Sequence, residues 1–77
     1  MQNFIKEDGE YYKDLGKNKR LKLKTYKGAV YVDIREYYSA EGAMKPGKKG
    51  ITLSWEQWEE LLESAKELEE LRAEINK

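Results

Sequence analysis

The segment Gly42–Lys49, GAMKPGKK, is the first to which a chemistry can be assigned, because it matches the phosphate-binding pattern GxxxxGK. In that pattern a Ser or Thr ligates magnesium at the next position, which Lys49 occupies here. The loop must also lead into a helix whose N-terminal amides face the phosphates, whereas residues 51–53, ITL, resemble a strand. We therefore interpret the segment as a basic, glycine-rich loop and not as a nucleotide-hydrolysis site.

Lysines and tyrosines lie close together in the first 50 residues, and this combination suits a different ligand. A single-stranded nucleic acid offers phosphates and unstacked bases, so its binders combine a cationic groove with aromatic stacking platforms. Lys22, Lys24 and Tyr26 alternate with leucines, which is typical of one face of a strand. The pattern predicts single-strand binding on a sheet. It does not predict a protein that recognises duplex DNA with a helix in the major groove, since the one expected helix is acidic.

Asp33, Arg35 and Glu36 form the one group of acids and bases that resembles a catalytic set. The chain has no histidine and no cysteine, which removes the commonest general base, thiol nucleophiles, disulfides and the usual zinc ligands. We expect no enzyme, no cofactor and no metal. Salt bridging on the sheet is the expected role of Asp33 and Glu36, whereas Arg35 suits either phosphate or carboxylate.

Length and charge set the class of protein. The 77 residues are expected to form a single domain, 1–77, with a marginal core. Fifteen Lys and Arg balance fifteen Asp and Glu, but residues 1–50 carry twelve of these bases against seven acids, and residues 51–77 three against eight. This asymmetry indicates a basic face for an anionic partner and an acidic element away from it. No membrane span or signal peptide is expected, so we predict an intracellular, soluble protein.

The pattern of apolar residues predicts an α+β fold. We predict a hairpin of two strands, residues 19–26 and 29–38, joined at the turn YKGA. We also predict a short strand after the loop at residues 51–53, and a weaker one at GEYYKDL. Ser54 and Gln57 form a capping box that starts a long helix. We predict a curved antiparallel sheet of about four strands over residues 10–54 and a helix over residues 55–75. The apolar stripe of the helix runs through Trp55, Trp58, Leu61, Leu62, Ala65, Leu68, Leu71 and Ile75.

GKNKRLKLKTYKGAVYVDIREYY, followed by GAMKPGKKGITLSWEQW, resembles the single-stranded-DNA-binding domain of the positive cofactor 4 family of transcriptional coactivators. The similarity extends from Gly16 to Trp58. It implies a β-β-β-β-α fold and a homodimer whose sheets present grooves to single strands or melted duplex. It also implies a role in transcription or its regulation as a coactivator, with proteins of the transcription machinery as further partners.

The resemblance implies stacking by Tyr26 and Tyr38, the aromatic residues of the matching motifs. It implies further nucleic-acid contacts at Lys17, Lys24, Lys27, Arg35, Lys45, Lys48 and Lys49. Lys19 and Lys22 are added from the strand pattern alone. The resemblance does not fix the location, which would be nuclear in a eukaryote and cytoplasmic or nucleoid in a bacterium or virus.

Two departures from the family motifs bear on affinity. Tyr38 stands where many relatives carry Trp, and Ala29 where relatives often carry Lys, so we expect weaker binding. Strict alternation would place Tyr38 on the inner, apolar face of its strand. A bulge or bend would bring it to the side of Tyr26 and Arg35; without one, Tyr38 would belong to the core.

Two alternatives remain open at this stage. The acidic helix and the tyrosines could serve a protein-interaction module in which nucleic-acid binding is incidental. RNA could replace DNA as the ligand, because stacking and phosphate contacts do not inspect the 2′-hydroxyl.

Overall fold

The computed structural model describes residues 3–77, which form a five-stranded antiparallel sheet followed by one helix. The strands follow one another across the sheet in chain order. They are β1 (Ile5–Glu7), β2 (Glu10–Gly16), β3 (Lys19–Tyr26), β4 (Ala29–Ala40) and β5 (Ala43–Ser54), and the helix α1 is Trp55–Ile75.

The expectation of about four strands starting near residue 10 was wrong, because β1 adds a fifth strand. β1 pairs with β2, with Ile5 opposite Tyr12. At three residues it is too short to display an alternating pattern. The sequence signal for it is the turn Asp8-Gly9, a dipeptide that favours two-residue hairpins.

All four hairpins turn through two residues with positive φ. At the β3–β4 turn these are Lys27, with φ of 51°, and Gly28, with φ of 81°. Positive φ at both central positions matches the type I′ turn, whose twist suits adjacent antiparallel strands. Tight turns of this kind keep sequential strands adjacent and so dictate the simple strand order.

The predicted glycine-rich loop is instead part of a strand. β5 runs without interruption from Ala43 to Ser54, and the connection before it is only Glu41-Gly42. Glycine and proline suggested a loop, but β5 is an edge strand, where a missing proline N–H is tolerated. The irregularity appears as a bulge, in which residues 47–49 of β5 lie opposite Glu36 alone.

The helix begins as predicted at a capping box. Gln57 N donates to Ser54 Oγ over 3.2 Å, and Ser54 N donates to Gln57 Oε1 over 3.0 Å. Trp55 and Trp58 then line an apolar cavity of about 360 Å³ against the sheet. Within residues 3–77, no helix combines the length and apolarity that crossing a membrane requires.

Few side chains are buried within residues 3–77. Val32, Asp33 and Tyr37 each expose less than a tenth of their surface to solvent. No residue of the helix is buried. Val30 lies on the same face of β4 as Val32, but its side chain is 40% exposed. The helical stripe is likewise exposed from Leu61 onward, so it covers the sheet only at its start.

Candidate nucleic-acid interface

The sheet face that points away from the helical tryptophans is rich in cations, rings and acids, and we call it the polar face. Antiparallel pairing sets these residues side by side, with Arg20 opposite Arg35, Lys22 opposite Asp33 and Lys24 opposite Tyr31. Its members on β3 and β4 are Arg20, Lys22, Lys24, Tyr26, Tyr31, Asp33, Arg35 and Tyr37.

Tyr37, which no sequence motif indicates as a site residue, is the buried ring of this face. Its ring lies 4.8 Å from the guanidinium carbon of Arg20, whose other neighbour is the Tyr12 ring at 4.2 Å. Arg20 Nε also donates to Asp14 Oδ1 over 3.2 Å. Cation–π contacts of this kind gain strength when the cation is desolvated, and only 14% of the Arg20 side chain is exposed. Arg20 therefore joins β2 to β4.

Lys22 is also largely committed to protein partners. Its Nζ lies 3.1 Å from Glu10 Oε1 and 5.5 Å from the centre of the Tyr37 ring. Partial burial lowers the pKa of Lys22, but the interactions with Tyr37 and Glu10 outweigh burial and raise the pKa above its ordinary value. The ammonium group is thus charged, with one carboxylate already beside it.

Lys24 and Tyr26 line an open depression of about 410 Å³ on the polar face, together with Tyr31 and Thr52. Glu10 lines it as well. The Tyr26 ring is 63% exposed at the end of β3. A ring presented in this way beside an amine suits base stacking next to a phosphate.

Two turns carry further lysines. Lys27, in the β3–β4 turn, has its Nζ 5.4 Å from the centre of the Tyr26 ring. Lys17 lies in the β2–β3 turn with a φ of 52°. Both side chains are exposed, so each turn presents a cation to solvent.

Lys45, Lys48 and Lys49 are exposed on β5. Among residues 3–77 no carboxylate lies within ion-pair distance of them. Lys45 lies opposite Tyr38, whereas the other two belong to the bulge. These amines are therefore available to an anionic ligand.

Lys19 lies apart from the polar face. Strand alternation gives it the side of Leu21, and its Nζ lies 3.6 Å from Glu36 Oε2. The expected salt-bridging role of Glu36 is confirmed by this pair. Lys19 was predicted as a contact from the basic strand, but alternation in β3 places it on the face opposite to Lys22 and Lys24.

Tyr38 fits neither of the two expectations for it. A bulge is present, but its additional residues are in β5, and Tyr37 is the ring on the side of Arg35. Tyr38 is nevertheless 53% exposed, so it is not a core residue of the chain. It lies beside the bulge, where a Cβ on Gly47 would come within 3.8 Å of its ring.

Arg35 and Asp33 form a bidentate pair. Arg35 Nε donates to Asp33 Oδ2 and Nη2 donates to Oδ1, each over 3.1 Å. Burial raises the pKa of the Asp33 carboxyl, but hydrogen bonds from Arg35 and Thr52, with the charge of Lys24, outweigh burial and hold this pKa below its ordinary value. The expected salt-bridging role of Asp33 is confirmed.

Within residues 3–77, no cluster of three or more His, Cys, Asp or Glu side chains could hold a metal ion. The arrangement instead consists of exposed rings, exposed amines and a bulge on one small sheet. A cationic and aromatic sheet closed by a single helix defines a small α+β binding domain.

The chain belongs to the transcriptional coactivator p15 (PC4) family, whose model matches residues 13–64. It is 36% identical over 63 residues to the RNA polymerase II transcriptional coactivator KIWI of Arabidopsis thaliana, covering 82% of this chain and 59% of that protein. It is 48% identical over 59 residues to the RNA polymerase II transcriptional coactivator SUB1 of Saccharomyces cerevisiae, covering 74% of this chain and 20% of that protein. The chain thus spans from a fifth to about three fifths of these relatives.

Solved structures with the same fold include MoSub1 bound to DNA. In the MoSub1–ssDNA complex the TM-score is 0.78 at 35% identity, with 87% of this chain and 82% of that chain covered. A second MoSub1–DNA complex, described as having a novel DNA binding mode, gives a TM-score of 0.79 at 34% identity, with 91% of each chain covered.

Proposed function

We propose that this chain binds single-stranded DNA through the polar face and the adjoining lysines of β5. The observation that carries the proposal is the Tyr26 ring, 63% exposed on the polar face beside Lys24. Tyr38, 53% exposed, offers a second ring on the opposite face, next to Lys45. A stacked base contributes about 1–3 kcal/mol per ring. Exposed rings beside cations thus suit a ligand that has both bases and phosphates.

The lysines divide into two groups by their protein partners. Lys19 and Lys22 already have carboxylates nearby, so a phosphate would have to compete for them. The remaining amines are the stronger candidates for phosphate contacts: Lys17, Lys24, Lys27, Lys45, Lys48 and Lys49. Each neutralised phosphate releases counterions, so binding should weaken steeply as salt rises.

The names of the relatives support the ligand and suggest a setting. MoSub1 is described in complexes with ssDNA and with DNA, and KIWI and SUB1 are called RNA polymerase II transcriptional coactivators. By analogy, we propose that this chain acts as a coactivator in the nucleus and meets proteins of the transcription machinery. None of these relatives is described as an enzyme.

Titration of labelled oligonucleotides tests the proposed ligand. The expected order of affinity is single-stranded DNA above duplex of the same sequence, with single-stranded RNA as the third arm. Equal affinity for duplex and single strand would indicate a nonspecific basic patch. Lack of binding to all three would contradict the proposal and favour a protein-interaction role for the acidic helix.

We also propose that the chain is a homodimer, in which the helical stripe packs against a second copy. Leu62, Leu68, Leu71 and Ile75 are each at least half exposed in the protomer. The Cα radius of gyration is 14.8 Å, whereas a compact domain of this length would have about 11.5 Å. An elongated protomer with an uncovered apolar stripe needs a partner surface, and a second copy supplies one by symmetry.

A further inference from the structure

Arg35 is predicted from the family motif to contact DNA, yet most of its donors are already engaged. Besides the two bonds to Asp33, Nη1 donates to the carbonyl oxygens of Gly47 at 3.2 Å and Lys48 at 3.3 Å. An arginine has five N–H donors, so these four bonds leave little capacity for a phosphate. The guanidinium links the centre of β4 to the bulge of β5.

Asp33 orients the guanidinium by accepting two hydrogen bonds from it. Its side chain is 3% exposed, and it accepts a further bond from Thr52 Oγ1 over 2.6 Å. A carboxylate this deeply buried has no access to a DNA ligand, and it remains charged because its partners satisfy it. Asp33 therefore acts on the surface only through Arg35.

Gly50 lies opposite Arg35 and leaves room for the arginine side chain to pass over β5. A Cβ at Gly50 would lie 2.7 Å from Arg35 Cγ and 2.8 Å from Arg35 Cβ. Such contacts are too short for carbon atoms, and the clashing atoms belong to the stem of the arginine rather than its tip. The backbone oxygen of Ile34, at 2.8 Å, would clash as well. Only glycine at position 50 leaves space for the side chain of Arg35.

The bulge needs this support because its own pairing is poor. Three residues of β5, 47–49, lie opposite one residue of β4, so the regular ladder is interrupted there. The two carbonyls that Arg35 holds belong to this interrupted segment, which also carries the free amines of Lys48 and Lys49.

We propose that Arg35 is a positioning residue, which Asp33 orients and Gly50 admits, and that it fixes the bulge so that Lys48 and Lys49 are held in place for DNA. The proposal rests on the proposed DNA-binding function for its consequence, but the bracing of the bulge can be measured without DNA. It assigns the effect of Arg35 on binding to geometry instead of direct phosphate contact.

Asp33→Asn gives opposite outcomes under the two accounts. It removes a negative charge beneath a DNA-binding face, so electrostatics alone predicts tighter binding. Loss of the support for the bulge predicts binding weaker by about tenfold, because two mobile lysine side chains would then have to be ordered on association. Asp8→Asn is the matched control, since it removes an exposed acid from the β1–β2 turn, where asparagine tolerates the positive φ, and it is expected to leave affinity equal or higher. Tighter binding by Asp33→Asn would overturn the proposal.

Arg35→Lys provides a second variant that is independent of Asp33. Lysine keeps the charge but lacks the planar fork that joins a carboxylate to two carbonyls. If Arg35 braced nothing and contacted phosphate, Arg35→Lys would retain most of the affinity that Arg35→Ala loses. We expect the two variants to be equally weak, and recovery by lysine would contradict the inference.

Amide hydrogen exchange in free protein separates this proposal from the proposed function. The amides of residues 47–49 should exchange at least tenfold faster in Asp33→Asn and Arg35→Lys, while those of β3 stay protected. Should Asp33→Asn fail to fold, Arg35→Lys alone decides. If the wild-type chain binds no single strand, the DNA-binding proposal fails while exchange still tests the bracing. Unchanged exchange at the bulge would overturn it.

Discussion

Tyr37 and Tyr38 are neighbours in β4 with opposite environments. Tyr37 is 6% exposed beneath the cation of Arg20, whereas Tyr38 is 53% exposed opposite Lys45. Successive side chains of a strand point to opposite faces, so the Tyr37 ring is buried on the polar face while the Tyr38 ring reaches solvent on the other face. This difference separates a stabilising role from a binding role.

Alanine at these two positions should therefore have different effects. Tyr38→Ala is expected to leave the thermal midpoint nearly unchanged and to weaken single-strand binding by about 1–3 kcal/mol, with the same salt dependence, because a lost ring releases no counterions. Tyr37→Ala should lower the free energy of unfolding by about 3–5 kcal/mol, since it leaves a cavity beneath Arg20.

Thermal melts and oligonucleotide titrations measure these two effects. Tyr38→Leu is the control that retains apolar bulk, and it should recover only part of the affinity. If Tyr38→Ala unfolds the protein instead, the ring belongs to an interface between copies, and stacking depends on Tyr26.

The lysines of the bulge should contribute through charge alone. Lys48→Ala with Lys49→Ala should weaken all single strands alike and flatten the plot of log affinity against log salt by about 1.4 units, at about 0.7 for each lost phosphate contact. Titrations at several salt concentrations give this slope. Lys66→Ala with Lys77→Ala makes the same change of charge in and just beyond the helix and should leave the slope unaltered. An equal effect would indicate general electrostatics.

Local signals in the sequence predicted much of the fold. Alternating leucines and lysines defined β3, and the capping box at Ser54 fixed the start of the helix, because both depend on neighbouring residues only. β1 was missed because three residues display no period. The strand character of Lys45–Lys49 was missed because proline and glycine favour loops unless the segment lies at a sheet edge, and edge position depends on the whole topology.

The site was predictable in composition but less so in geometry. The motif identified Tyr26, Tyr38 and the free lysines as exposed candidates. The stack of Tyr12, Arg20 and Tyr37 was missed, since it joins three strands and requires the register between them. Strand alternation, applied across β2, β3 and β4 together, places these three side chains on one face and would have found it.

The exposed helical stripe predicts that stability depends on protein concentration. Dimerisation stabilises the folded state by mass action, so the thermal midpoint should rise as concentration increases. Leu68→Glu with Leu71→Glu should abolish this dependence and yield a monomer in sedimentation experiments, because it buries charge at the interface. Glu67→Lys, on the exposed acidic side, is the control. A compact wild-type monomer at micromolar concentration would contradict the homodimer.

The buried Asp33 predicts a loss of stability in acid. Its pKa is below the ordinary value when folded, so the unfolded chain takes up the proton first as pH falls through about 3.9. The contribution of Asp33 is therefore complete above that pH and is lost as pH falls towards the depressed folded value. Melts of wild type and Asp33→Asn between about pH 6 and pH 2 should converge at the acid end. Parallel curves would show that Asp33 is not linked to folding.

The separation of Tyr26 and Tyr38 predicts how affinity depends on oligonucleotide length. Tyr26 pairs with Ala29 at one end of β4, and Tyr38 lies nine residues further along that strand and on its other face, up to about 30 Å away at 3.3 Å per residue. At the stacked spacing of about 3.4 Å, a strand that passes around the edge strand β5 would need roughly nine or more nucleotides to reach both rings of one protomer. Affinity should thus rise in a step between about four and ten nucleotides. Tyr38→Ala should remove the step but leave the affinity of the shortest strands, whereas Tyr26→Ala tests the opposite end. A smooth increase with length in all three proteins would mean that the rings do not act as two platforms on one strand.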